Sequence, residues 1–121
     1  MQTKIKVTGS VLLSDELTTF VTTKTEKLAV FVEGDPTALC DVEIGTTTGG
    51  KRMSELYRAE VHVTFAGGDV YTDASAPTLH GAIDKAVSEA RQELRKKKDK
   101  DRDLMRRGAA EVKNFFRNFG K

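Results

Sequence analysis

The sequence predicts an α+β fold: a β-α-β-β-β-α two-layer sandwich followed by a C-terminal helical tail. Three observations predict it. Four stretches alternate apolar and polar residues with a period of two, most clearly over residues 56–66. Two others, residues 17–31 and 79–94, repeat apolar residues at the three-and-four spacing of one helical face. Turn-forming glycine, proline and serine separate these stretches, so each is a distinct element. Two helices on one face of a half-apolar sheet form a two-layer sandwich.

Residues 3–8 read as a short strand, with Ile5 and Val7 inward and Lys4 and Lys6 outward. Gly9 and Ser10 interrupt it. Ser14 then precedes Asp15 and Glu16, an N-cap followed by acids where the helix dipole favours them. This helix is expected to reach about Val32, with Leu17, Phe20, Val21, Leu28 and Phe31 on its inner face and Lys24 and Lys27 off it. Its threonines (Thr18, Thr19, Thr22, Thr23, Thr25) have weak helix propensity, so packing must hold it. Glu33-Gly34-Asp35-Pro36 ends it in a turn.

Residues 39–48 form the next expected strand, Cys40, Val42 and Ile44 on one face, Asp41 and Glu43 on the other. Gly49-Gly50-Lys51-Arg52 reads as a solvated loop. In residues 56–66, Tyr57, Ala59, Val61, Val63 and Phe65 alternate with Arg58, Glu60, His62 and Thr64. Gly67-Gly68-Asp69 is the expected hairpin turn, and Val70, Thr72 and Ala74 return. Pro77 suits the first turn of the second helix, with Ser75 as its N-cap. Leu79, Ile83, Ala86, Val87, Ala90 and Leu94 line the inner face of that helix. The charged sheet face, with Lys4, Lys6, Asp41, Glu43, Arg58, Glu60 and His62, is left to water, as an antiparallel sheet permits.

After Leu94 the chain runs RKKKDKDRD, with no apolar face to bury. Arg91, Arg95, Lys98 and Arg102 fall at i, i+4, i+7 and i+11, so a continued helix carries a basic ridge. Residues 91–121 hold 12 Lys/Arg and 5 Asp/Glu, a net of +7; residues 1–90 hold 8 and 13, a net of −5. A basic segment on an acidic body points to a polyanionic partner. At 121 residues the chain suits one domain, residues 1–100, with an extension at 101–121. In the extension Met105, Ala109, Val112, Phe115, Phe116 and Phe119 recur at helical spacing among Arg106, Arg107, Lys113 and Arg117. Such a helix suits a membrane surface, a partner's groove, another copy or its own domain. Its cations favour a polyanion as the contact that orders it, with self-association as the alternative.

Several classes are disfavoured. One cysteine, Cys40, cannot form an internal disulfide and suits a reducing compartment. The first ten residues hold no apolar signal-peptide core, and no apolar run is long enough to span a bilayer. Two histidines, His62 and His80, and one cysteine offer no zinc spacing, and no hydrolase, zincin or P-loop pattern occurs. Asp69 and Asp73 are outward carboxylates with no pocket implied. The expectation is no enzyme, no cofactor and no metal.

The chain resembles the short ribosome hibernation-promoting factors, the ribosome-associated inhibitors of the sigma-54 modulation family. The opening KIKVTG is similar to the family's first strand, and residues 20–31, FVTTKTEKLAVF, to its first helix with Lys24 and Lys27. Ala59-Glu60-Val61-His62-Val63 with the Gly67-Gly68 turn resembles its third and fourth strands. Leu79-His80-Gly81-Ala82-Ile83-Asp84 stands where the family has M-Y-A-A-I-D, and Arg95-Lys96-Lys97-Lys98-Asp99-Lys100 where it has a basic helix end. Among its departures from the family, His80 stands where the family has a tyrosine, Glu89 where it has a lysine and Gln92 where it has an arginine.

The resemblance implies a fold like the double-stranded-RNA-binding domain. It also implies a cytoplasmic protein that binds the small ribosomal subunit near the decoding centre. There it blocks messenger and tRNA and promotes hibernation under stress and in stationary phase. The RNA-contacting residues would be Lys24, Lys27, Arg91, Arg95, Lys96, Lys97, Lys98, Lys100 and Arg102. They would contact phosphates by charge, without DNA specificity or base readout. Two other readings stand beside it: a general RNA-binding module, and an adaptor acting through the Phe-rich tail.

Overall fold

The computed structural model describes residues 1–47 and 55–119, with side chains through residue 100. The elements are β1 (Gln2–Val7), α1 (Asp15–Ala29), a 3-10 turn (Val30–Val32), β2 (Leu39–Thr46), β3 (Tyr57–Phe65), β4 (Gly68–Ala76) and α2 (Leu79–Phe119). The expected element order is therefore present. The Gly49-Gly50-Lys51-Arg52 loop lies outside the described residues.

The sheet order is β1-β2-β3-β4, and it is mixed. β2, β3 and β4 pair antiparallel, but β1 pairs parallel to β2. The reason is topological: α1 lies between β1 and β2, and a helical crossover returns the chain in the direction it left. The hairpin differs by one residue from the expectation. Phe65 pairs with Gly68, so the turn is Ala66-Gly67 and Gly68 opens β4. Gly68 has φ +135°, and a Cβ there would lie 2.8 Å from the Lys97 ammonium, so a side chain would meet both strain and α2.

Ser14 caps α1 as expected, its Oγ accepting the Leu17 N–H at 3.1 Å. The cap of α2 is not Ser75. Ser75 lies in β4 and pairs with Arg58; Thr78 Oγ1 accepts the Gly81 N–H at 3.0 Å and does the capping. Pro77 falls in the connection rather than in the helix, where it ends the strand because it has no ladder donor.

The helices cover one sheet face. Leu17, Val21 and Leu28 of α1 and Ile83, Ala90 and Leu94 of α2 are buried against Val42, Ile44, Val61 and Val63. Phe20 of α1 and Phe31 of the 3-10 turn are only half-buried, on the side that meets α2, and Thr25 takes the inner position instead. The two helices run side by side in one direction. Phe20 stacks on His80, Lys24 pairs with Asp84 and Arg91 lies over Phe31, each pair separated by 60 residues (80−20, 84−24, 91−31). Thr72 is buried in β4, and its hydroxyl donates to the Ala86 carbonyl of α2 at 2.8 Å. Cys40 is also buried, which pushes its thiol up to about 12 and removes the reactive thiolate.

Candidate nucleic-acid interface

The cations sort by helical position. Leu94 is the last core residue among the described side chains of α2, and Lys97, three residues on, continues the core stripe. Its ammonium lies 5.8 Å from the centre of the Phe65 ring, and the side chain is half-buried at the hairpin end of the sheet. Arg91, Arg95 and Lys98 occupy another line, on the side facing α1, and all three are exposed. Arg91 anchors that line by stacking its guanidinium 6.0 Å from the Phe31 ring centre. This is the basic ridge expected from the spacing, and it begins where α1 ends. Lys96 and Lys100 are exposed on the far side of the helix, Lys96 within 3.5 Å of Glu93. Arg102 continues the ridge line along the backbone, its side chain outside those described.

The first helix contributes one exposed cation to this side, Lys27. Lys24 is differently employed. Its ammonium is 2.8 Å from Asp84 and 5.4 Å from the Phe20 ring centre, so it clamps α1 to α2. The expected set of nine is therefore split: four of them, Lys27 and the three exposed ridge cations, lie on or beside the α1–α2 flank, while Lys24 and Lys97 are held by the domain itself.

Glu89 and Gln92, where the basic pattern is broken, lie along the other edge of α2. They share a groove with Tyr71, Asp73 and Glu93, so that edge is acidic. The open sheet face is also acidic in balance. The register aligns Lys6, Glu43, Glu60 and Asp73 across all four strands. Glu43 and Glu60 oppose each other directly, a costly like-charge pair. Arg58 offsets this, its guanidinium 2.8 Å from Glu60 and 2.6 Å from Asp73, and Asp73 holds the Arg58 guanidinium above its usual value. His62 Nε2 lies 2.9 Å from Asp69. Asp41, Glu43, Glu60, Asp69 and Asp73 thus outnumber Lys4, Lys6 and Arg58. A polyanion is repelled there and attracted to the helical flank. Among the described residues no group of three His, Cys, Asp or Glu is placed to hold a metal ion, and no described helix is long and apolar enough to cross a membrane.

A residue that reads in sequence as part of a turn, Asp35, sets the end of this surface. Asp35 Oδ1 accepts the Thr37 N–H at 2.8 Å and its hydroxyl at 2.6 Å, while Oδ2 accepts the Ala66 N–H at 2.7 Å. It ties the turn after α1 to the hairpin, beside Lys98. The Thr37 hydroxyl, then the two amides, hold its carboxyl below the ordinary 3.8, and Lys98 adds to this. A depressed folded pKa stabilises the fold above the unfolded value and is lost as pH falls through the folded one. Asp35→Ala is therefore expected to lower the thermal midpoint at neutral pH, with the gap to the parent narrowing in acid. Melting curves across pH check this; a gap independent of pH refutes it.

The family model described as sigma 54 modulation protein / S30EA ribosomal protein matches residues 5–102. No curated protein matches the sequence. Among solved structures, the N-terminal domain of Thermus thermophilus Protein Y superposes with a TM-score of 0.66 at 22% identity, covering 79% of this chain and 98% of that one. A ribosomal subunit interface protein from Coxiella burnetii gives 0.63 at 14% identity, covering 82% and 99%. At these identities the two structures speak for the fold, and the fold is theirs: a four-stranded mixed sheet under two helices. The family match covers most of the sequence, including α1 and the part of α2 that carries the ridge, and the chain belongs to the sigma 54 modulation protein / S30EA ribosomal protein family.

Proposed function

We propose that this protein binds the small ribosomal subunit near the decoding centre, where it excludes messenger and tRNA and promotes ribosome hibernation under stress. The observation that carries the reading is the charge polarity of the domain. Arg91, Arg95 and Lys98 stand exposed in one line beside Lys27, on the side away from an acidic sheet face. Family membership supports a ribosomal partner for that polarity, and a subunit offers a dense, fixed array of phosphates. Residues 1–100 are the binding domain and 101–121 an extension. Lys96, Lys97, Lys100 and Arg102 add diffuse positive charge, and Lys24 acts mainly by holding α1 against α2. The contact is one of charge to phosphate, with no base readout and hence no DNA specificity. The protein works in the cytoplasm, without a cofactor, and inhibits by occupancy rather than by catalysis.

Sedimentation through a sucrose cushion tests this. The protein is expected to pellet with small subunits in stoichiometric amount and to stay there against excess unrelated double-stranded RNA. Added to a cell-free system in excess over ribosomes, it is expected to stop protein synthesis at initiation. Equal partition onto any RNA would make it a general RNA-binding module, and undiminished synthesis would refute the inhibitor.

A further inference from the structure

The 41-residue helix α2 outruns the domain that it closes. Its last core residue among the described side chains is Leu94, and Lys97 already stands at the hairpin end of the sheet. From Lys98 to Phe119 the helix continues through a further length of about 33 Å, at about 1.5 Å per residue. Along that length the sequence is amphipathic. Met105, Ala109, Val112, Phe116 and Phe119 follow one another at intervals of four, three, four and three, and Leu104 and Phe115 widen the same stripe. Arg102, Arg106, Lys113 and Arg117 fall together along one border of it. Residues 104–121 hold five Lys/Arg and one acid, Glu111, a net of +4.

We propose that residues 104–119 lie on an anionic lipid surface, with the apolar stripe at the acyl boundary and the bordering cations among the headgroups. Lipid fits both halves of the pattern at once. RNA matches the cations but cannot cover a stripe with three phenylalanines. A second copy matches the stripe poorly. The same seam traced upstream reads Arg102, Lys98, Arg95 and Arg91, so a parallel pair would press four cations against their equals and a full antiparallel pair would set them against the apolar stripe. The tail alone offers little more than two heptads, and its seam is bordered by Arg106 and Lys113, which would face like charges. A bilayer needs neither a complementary copy nor a pocket, only an amphipathic helix with basic borders and large apolar residues. The helix lies on the surface and does not span it. This goes beyond ribosome binding and does not depend on it, because the stripe begins at Leu104, beyond the exposed ridge residues Arg91, Arg95 and Lys98.

The test is co-sedimentation of the full chain with vesicles of phosphatidylcholine alone and of an equimolar mixture with phosphatidylglycerol. The parent is expected to bind the mixed vesicles and to leave the neutral ones. The variant carrying Phe115→Ser, Phe116→Ser and Phe119→Ser is expected to lose affinity on the order of a hundredfold, since each buried aromatic contributes substantially to partition. Its melting curve and its pelleting with small subunits should match the parent's. The variant with Arg106→Gln, Lys113→Gln and Arg117→Gln is expected to lose its preference for the charged vesicles. Failure of the parent to bind mixed vesicles overturns the proposal. So does parent-like binding by the triple-serine variant, which would assign vesicle binding to the ridge. A parent dimer by light scattering that this variant makes monomeric also overturns it, because a second copy then covers the stripe.

Discussion

Replacing the exposed ridge cations together, Arg91→Gln, Arg95→Gln and Lys98→Gln, is expected to weaken small-subunit binding by about a hundredfold or more at physiological salt. The salt dependence should flatten as well, by about one unit of logarithmic slope for each phosphate contact removed. Three cations on one helical line can meet phosphates of one RNA surface together, so their loss acts in concert. The side chains are exposed, so the fold loses little. Glutamine is the suitable replacement because a carboxylate at position 98 would repel Asp35, which now benefits from Lys98. A control with Lys96→Gln and Lys100→Gln removes two cations from the other side of the same helix. It should weaken binding much less. If control and ridge variant bind alike, net charge and not the ridge is what the subunit reads.

Leu94→Ala is expected to destabilise the domain by about 2–5 kcal/mol, the range for emptying a fully buried leucine site. Leu94 is 0% exposed and is the last residue of α2 held in the core among the described side chains. For a domain of this size that cost is a large share of about 5–15 kcal/mol of total stability. Its position gives it a second effect. The ridge residues Arg91, Arg95 and Lys98 flank it, so loosening this turn blurs the geometry that aligns them. Urea unfolding followed by circular dichroism measures the first effect; subunit binding well below the unfolding transition measures the second. A loss under about 1 kcal/mol would mean that the site collapses around the alanine, and that the other core residues of α2, Ala82, Ile83, Ala86, Val87 and Ala90, fix the helix.

The ridge was legible because it is local. Arg91, Arg95 and Lys98 share a line by helical spacing alone, and that spacing is written in consecutive residues. What cancelled part of the predicted surface was not local. Lys24 looks like another outward cation until the parallel packing of α1 and α2 brings Asp84 to it across 60 residues. Lys97 belongs to the densest run of charge, yet Phe65 lies beneath it. Asp35 reads as a turn residue, and its second partner, the Ala66 amide, comes from a hairpin 31 residues on.

By itself the sequence determined the element types and their order, the inner and outer faces of the strands, and the asymmetry between a mildly acidic body and a basic end. Each rests on periodicity or composition, and these act over a few neighbours. Only the tertiary structure decided that β1 joins the sheet parallel to β2, that the hairpin turns one residue early, that Thr78 rather than Ser75 caps α2, and which cations remain exposed. Strand pairing places Ser75 in the ladder and so frees the capping role for Thr78. Helix packing spends one lysine on a clamp and lays another on a ring. These outcomes depend on which distant groups meet, and contacts between residues far apart in sequence leave no mark in local spacing.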